Sequence, residues 1–137
     1  MLCEVDISSE ADVAVLVHRA GRALRGVPLP DDEVGRLVTV CAELGRNIAR
    51  YGLYGVVRIE VTPHDGGQRV VIEAVDRGPG IADIDAALRD HYSSGGTLGL
   101  GLPGVRRMMD TLRIETKLGS GTRVRVERQI VHRGSER

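Results

Sequence analysis

The sequence predicts an α+β fold, a two-layer sandwich in which helices cover one face of a mixed, mostly antiparallel sheet. Its 137 residues match the length of one domain. Strand-like segments come in consecutive pairs and the helical patterns stand apart, whereas a doubly wound parallel sheet requires strict alternation of the two. Since 42% of the residues are hydrophobic and Phe and Trp are absent, we expect an aliphatic core. The prediction is one domain over residues 1–137, with a flexible tail from about residue 131.

The first half of the chain predicts one strand followed by two helices. Residues 2–7 alternate apolar and polar side chains, as an edge strand does. The serine pair 8–9 can cap a helix whose apolar residues recur at helical spacing to about Arg25. The proline-containing segment 26–30 then breaks the chain. A second helix is predicted over about 31–52, because acidic residues fill its first turn and Gly stands at its end.

The second half predicts two β-hairpins with a glycine-rich stretch and a third helix between them. Residues 81–89 permit a short helix, and residues 91–98 predict a loop. Pro103 suits the first turn of the third helix. Four segments alternate as strands do, and they pair through short turns: 56–62 with 69–75 through 63–67, and 112–117 with 122–129 through 119–121.

Charge and composition narrow the classes of function. Lys and Arg together number 19, as do Asp and Glu, so no global field attracts nucleic acid or an anionic membrane. The chain shows no signal-peptide pattern and no apolar run of about 18 residues, so we expect a cytoplasmic protein. Cys3 and Cys41 are too few for a disulfide framework or a structural zinc site.

The glycine run at residues 95–104 (GGTLGLGLPG) is either a flexible linker or a backbone cradle for an anionic ligand. It contains GxGxxG, but the hydrophobic strand that a dinucleotide-binding turn requires does not precede it. The P-loop motif and the HRD and DFG motifs of protein kinases are absent from the sequence. An apolar helical pattern resumes at Val105 and Met108, which favours a cradle that leads into a phosphate-binding helix N-terminus.

Three polar side chains strengthen this interpretation. Asp76 follows an apolar strand and precedes a Gly-Pro-Gly turn. There its carboxylate can accept a hydrogen bond from an exocyclic amine such as that of adenine, or can cap the turn itself. Glu43 and Asn47 are four residues apart, so they project from neighbouring positions of one helix. They offer a general base and a neutral oxygen ligand for Mg²⁺, although such a pair also suits a solvated face.

Four motifs in order resemble the N box and the three glycine boxes of the GHKL ATPase superfamily, which includes gyrase, histidine kinases and MutL. They are ELGRN at 43–47, DRGPGI at 76–81, GGTLGLGLPGV at 95–105 and GSGT at 119–122. The short chain and the ELxRN and GLGLPGV forms are most similar to the anti-sigma-factor serine kinases, in particular the RsbT-type switch kinases of stressosome modules. The resemblance covers roughly residues 5–130.

The resemblance implies the Bergerat fold, with ATP between the helices and the sheet, and it implies a role for each matching residue. Glu43 would deprotonate or orient the attacking hydroxyl, and Asn47 would ligate Mg²⁺ held by the ATP phosphates. Asp76 would bind the adenine amine with help from Thr122, and residues 82–98 would form the ATP lid. The other implied nucleotide-binding residues are Gly78, Gly80, Ile81, Gly96, Thr97, Gly99, Leu100, Gly101, Leu102 and Gly104. Gly45 departs from the family pattern, in which Ala is usual.

The implied activity is that of a serine/threonine protein kinase that uses Mg-ATP to phosphorylate a STAS-domain protein, either an anti-sigma-factor antagonist or a stressosome scaffold. Such a partner-switching regulator can also act on a PP2C-type phosphatase. The alternative is an anti-sigma factor that sequesters a sigma subunit and uses ATP as a conformational ligand. A nucleotide-binding module without transfer activity is a third possibility, and both monomer and homodimer are open.

Overall fold

The computed structural model describes residues 1–80, 88 and 101–131. These residues form three helices and five strands, close to the predicted elements. Apart from Leu88, four predicted features lie outside the described residues. They are the short helix over 81–89, the loop 91–98, the lid and the tail after residue 131. The elements are β1 (Cys3–Ile7), α1 (Glu10–Arg25), α2 (Asp31–Tyr51), β2 (Gly55–His64), β3 (Gly67–Asp76), α3 (Gly101–Met108), β4 (Thr111–Lys117) and β5 (Gly121–Val131).

The five strands form one sheet in the order β1-β2-β3-β5-β4. Each of the four pairings among the described strands is antiparallel, so the parallel component of the predicted mixed sheet is not found there. The reason is that two hairpins supply the pairings of β2 with β3 and of β4 with β5. The segment through α1 and α2 brings β2 antiparallel to β1, and the connection through α3 brings β5 antiparallel to β3. The prediction of a first edge strand is confirmed by β1.

The hairpin between β2 and β3 is tighter than the predicted turn over 63–67. Its strands run to His64 and from Gly67, which leaves Asp65 and Gly66 as a two-residue turn. Both have positive φ angles, 44° and 77°. A turn with two positive φ angles matches the right-handed twist of the strands, and Asp-Gly is a favoured pair in such a turn. The structure therefore brings the whole of β3 into register with β2, including its end at Asp76.

The helices pack on one face of the sheet, and the core between the two layers is aliphatic, as predicted. α1 contacts α2 and β1, and α2 also contacts α3 and the central strands. Cys41 lies in this core and is a free cysteine. The fully buried side chains include Ile7, Leu16, Leu24, Leu37, Leu44, Ile48, Ile59, Ile72 and Val105. α2 thus forms the centre of the helical layer, and its position sets the back wall of the site.

Gly45 departs from the family pattern because α1 lies too close to α2 for a side chain there. A Cβ added to Gly45 would lie 2.8 Å from Cδ2 of Leu16, which is completely buried. We expect Gly45→Ala to lower the free energy of unfolding by about 1 kcal/mol, since the overpacking cost of ~1–3 kcal/mol exceeds the gain in helix propensity of ~1 kcal/mol. Urea unfolding measures the difference.

Gly35 provides the matched control for this prediction, because it lies on the same helix and a Cβ added there meets no atom within 4 Å. We expect Gly35→Ala to raise the free energy of unfolding by about 1 kcal/mol through helix propensity alone. If Gly45→Ala stabilises the protein as much as Gly35→Ala does, the close approach of Leu16 does not explain the glycine.

Candidate functional site

Asp76 marks one end of the candidate site, at the last residue of β3. The antiparallel register places Asp76 opposite Thr122 of β5. Its Oδ1 accepts backbone hydrogen bonds from Gly78, at 2.9 Å, and from Thr122, at 3.2 Å. A Cβ added to Gly52 would lie only 3.0 Å from Oδ2. Backbone donors therefore fix one carboxylate oxygen, and the absence of a side chain at Gly52 makes room for the other.

The turn after Asp76 is held against two neighbouring segments. A Cβ added to Gly78 would lie 2.6 Å from the carbonyl oxygen of Tyr51 at the end of α2. Gly80 has a φ of +84° and approaches the carbonyl of Lys117 on β4. Only glycine combines this backbone conformation with so close an approach. These approaches to the protein backbone explain both glycines, and the passage of the turn under a flat ligand stays a prediction.

Thr122 is buried beside Asp76, and its assistance at the adenine end stays a prediction. Its hydroxyl lies 3.0 Å from the hydroxyl of Thr116, and Thr116 also donates to the carbonyl of Gly121. Sequence reasoning missed Thr116. What connects Thr116 to the site is its position in the sheet, as the direct cross-strand partner of Thr122. The sequence does not reveal this position until the pairing of the strands is known.

Glu43 marks the other end of the site, on the buried side of α2. Its side chain is 7% exposed, and Oε1 lies 2.5 Å from a guanidinium nitrogen of Arg46. Oε2 accepts a hydrogen bond from the backbone N–H of Gly101, at 3.2 Å. Asn47 follows Glu43 by about one helical turn and is partly buried. The pair is therefore not on a solvated helix face, because its carboxylate faces the first residue of α3.

α3 begins at Gly101, so Pro103 lies in its first turn, as predicted. Gly101 has a φ of +63°, and its N–H is the one that Glu43 binds. Leu102 and Gly104 are buried, and Leu102 belongs to the hydrophobic core. The structure thus brings the end of the glycine run to Glu43. The predicted site residues Ile81, Gly96, Thr97, Gly99 and Leu100 lie outside the described residues.

Burial raises the pKa of Asp76 above its ordinary value near 3.8, and the hydrogen bonds from Gly78 and Thr122 only partly oppose this rise. A carboxyl with a higher pKa in the folded state contributes stability below its unfolded pKa and loses that contribution as the pH rises through the folded pKa. We therefore expect Asp76→Asn, which carries no charge at any pH, to raise the melting temperature at pH 7 by about 2 °C.

Thermal unfolding without nucleotide, followed from pH 7 down to pH 3, tests this prediction. The difference between Asp76→Asn and the wild type should close near pH 3, where the aspartate is protonated in both the folded and the unfolded protein. A constant difference across this range would show that the charge of Asp76 is not its source.

Two further properties concern the described part of the chain. Residues 1–80, 88 and 101–131 contain no group of three or more His, Cys, Asp and Glu side chains that could hold a metal ion. Within the same residues, no helix combines the length and the apolar character needed to span a membrane.

Comparison with known proteins identifies the family of this chain. A family model described as a histidine kinase-like ATPase domain matches residues 8–128. The serine/threonine-protein kinase RsbT of Bacillus subtilis is 34% identical over 120 residues, which cover 88% of this chain and 90% of RsbT. An anti-sigma F factor of Clostridium botulinum is 34% identical over 106 residues, which cover 72% of this chain and 73% of that protein.

A solved structure extends the comparison to the fold. The mycobacterial sensor histidine kinase MprB superposes with a TM-score of 0.57, at 18% identity, over 96% of this chain and 99% of that one. At this identity the likeness concerns the fold alone, a sheet covered on one face by helices. The resemblance that the four motifs indicate is therefore confirmed: the chain belongs to the family of histidine kinase-like ATPase domains, within the GHKL superfamily.

Proposed function

We propose that this protein is an ATP-dependent serine/threonine protein kinase that phosphorylates a STAS-domain partner, an anti-sigma-factor antagonist or a stressosome scaffold protein. The observation that carries the proposal is the buried carboxylate of Glu43 at the N-terminus of α3. A protein that only binds nucleotide does not need a buried base at this point. The similarity to the serine/threonine-protein kinase RsbT over most of both chains supports the same activity. Such a regulator would work in the cytoplasm.

ATP would lie with its base at Asp76 and its phosphates at α3. The adenine amine donates to Oδ2 of Asp76, since Oδ1 is already bound by two backbone N–H groups. The N-terminus of α3 would offer the phosphates the positive end of the helix dipole and the N–H groups of its first turn, apart from Gly101, which donates to Glu43, and Pro103, which has none. Asn47 suits Mg²⁺, which takes few protein ligands beside phosphate oxygens and water and would neutralise the phosphate charge there.

Glu43 would act on the hydroxyl of the partner's serine or threonine. It accepts the hydroxyl proton as the oxygen attacks the γ-phosphorus, the bond to the β,γ-bridging oxygen breaks, and ADP leaves. Phosphoryl transfer depends mostly on positioning and on charge neutralisation, so this small set of side chains is chemically sufficient. Each oxygen of Glu43 has a second lone pair, so it can accept from the serine hydroxyl while Arg46 and Gly101 still hold the carboxylate.

Transfer of radiolabelled γ-phosphate from Mg-ATP to the cognate STAS protein tests the proposal. The matched control is the same partner with its acceptor serine replaced by alanine, which should take up no label. Calorimetry with ATP, with and without Mg²⁺, measures binding independently of transfer. Binding without transfer would remove the kinase activity but keep the nucleotide site, whereas a lack of ATP binding would overturn the whole assignment.

An anti-sigma factor is the second candidate, because several anti-sigma F factors are similar to this chain over about 72% of its length. In that case the protein would bind a sigma subunit directly, and ATP would stabilise the binding conformation. Affinity purification distinguishes the candidates: recovery of a sigma factor favours the second, and recovery of a STAS protein or a PP2C-type phosphatase favours the first. The elution volume of the purified chain separates monomer from homodimer.

A further inference from the structure

Arg46 supplies the countercharge of Glu43, although it is none of the implied nucleotide-binding residues. The two lie three residues apart on α2, and their side chains approach to 2.5 Å. Arg46 is 32% exposed, whereas Glu43 is 7% exposed. A carboxylate that is so nearly buried needs a partner to offset the cost of its desolvation. Arg46 meets this need from the solvent side without being buried itself.

The contact to Arg46 is one of two that together fix the direction of the carboxylate. Arg46 holds Oε1, and the N–H of Gly101 donates to Oε2. The carboxylate therefore spans the gap between α2 and the first residue of α3. With one contact removed, the side chain of Glu could rotate about its terminal bond. A misplacement of about 1 Å at a reacting group can lower a rate by about 100-fold.

We propose that Arg46 is a positioning residue that acts through Glu43: it holds the carboxylate against the N-terminus of α3, in line with the attacking hydroxyl. This inference deepens the proposed function and rests on it. Arg46 touches neither nucleotide nor substrate in this role. Removing it lowers the rate of transfer more than the affinity for ATP, because the group it controls acts on the hydroxyl.

The surroundings of Arg46 make it suitable for substitution. Its outer side lines a groove of about 620 Å³ between α1 and α2, together with Val17 and Val38. A shorter or apolar side chain there extends the groove and leaves the core intact. Arg50 gives a matched control, since it lies one turn further along α2 and pairs with the exposed Glu10 at 3.3 Å, away from Glu43.

Solvent exchange of the Gly101 amide, followed by NMR without nucleotide, tests the positioning step independently of activity. Glu43→Ala removes the acceptor and sets the exchange rate of the unprotected amide. We expect Arg46→Met to speed exchange about tenfold towards that rate, Arg46→Lys to stay near the wild type, and Arg50→Met to change nothing. Protection that survives in Arg46→Met overturns the proposal.

Transfer kinetics test the consequence for the reaction. We expect Arg46→Met to lower kcat about 100-fold and to change KM for ATP less than about fivefold, with Arg46→Lys within about tenfold of the wild-type kcat. In the Glu43→Ala background, Arg46→Met should cause no further loss, because its effect passes through Glu43. A raised KM with unchanged kcat, or equal losses in both backgrounds, overturns the proposal. A wild-type protein without transfer instead refutes the proposed function, and amide exchange still decides whether Arg46 positions Glu43.

Discussion

Glu43→Ala is expected to lower phosphate transfer by about 10³-fold, within the range for the loss of a general base, while ATP affinity changes by only a few-fold. The physical reason is that the carboxylate contacts the N-terminus of α3 and would act on the hydroxyl of the partner, not on the base or ribose of ATP. Initial rates of label transfer give the first quantity, and calorimetry gives the second.

Glu43→Gln separates the chemistry of this residue from its packing. The amide keeps the shape of the side chain and can still accept from the N–H of Gly101, but it takes no proton. We therefore expect the Gln variant to lose transfer as completely as the Ala variant. Substantial transfer by Glu43→Gln would show that Glu43 orients the hydroxyl without removing its proton, and full transfer by Glu43→Ala would remove the residue from the mechanism.

Asp76→Asn is expected to weaken ATP binding by about 100-fold, because a hydrogen bond to a charged group is lost and two donors then face each other. Asn can keep the contacts of Oδ1 with Gly78 and Thr122, but it presents an NH₂ group where Oδ2 would accept from adenine in the proposed complex. Inosine triphosphate carries a carbonyl oxygen in place of the adenine amine. It should therefore bind Asp76→Asn better than it binds the wild type.

Calorimetry with both nucleotides on both proteins measures this exchange of specificity. The substitution should weaken the binding of ATP and strengthen the binding of inosine triphosphate. This opposite effect is its own control, since general damage to the site would weaken the binding of both nucleotides. The expected gain in thermal stability gives a second check that the variant is folded. If Asp76→Asn binds ATP as tightly as the wild type does, Asp76 caps its turn and does not hydrogen-bond the adenine base.

Periodicity and turn chemistry predicted the elements and the faces of the fold, but not contacts that depend on pairing between distant segments. The spacing of Glu43 and Asn47 predicted that both lie on one helix, and both lie on α2, because helical geometry is local. Thr116 was missed since it reaches Thr122 only through the register of β4 with β5. Arg46 was visible as a neighbour of Glu43, but its pairing depends on a side-chain conformation that sequence does not specify.

The sheet was predicted to be mixed, and for the described strands the parallel part of this prediction was wrong for a similar reason. Hairpins are visible as neighbouring alternating segments joined by turn residues, whereas the adjacency of β3 and β5 spans the glycine-rich stretch and α3. Gly52 was likewise read as the end of α2, and its place against Asp76 appears only in three dimensions. Local rules therefore predict the helices and strands, but not the contacts that Asp76 makes with Thr122 and Gly52.

The contacts of Asp76 also order events during synthesis of the chain. Its carboxylate is held by Thr122, 46 residues later in sequence, on the last strand of the sheet. A nascent chain that has emerged only as far as α3 contains Glu43, Asn47 and Asp76 but lacks the strand that holds the carboxylate of Asp76. If adenine binds at Asp76 as proposed, we expect nucleotide to bind only after β5 has paired with β3, and not to assist the early steps of folding on the ribosome.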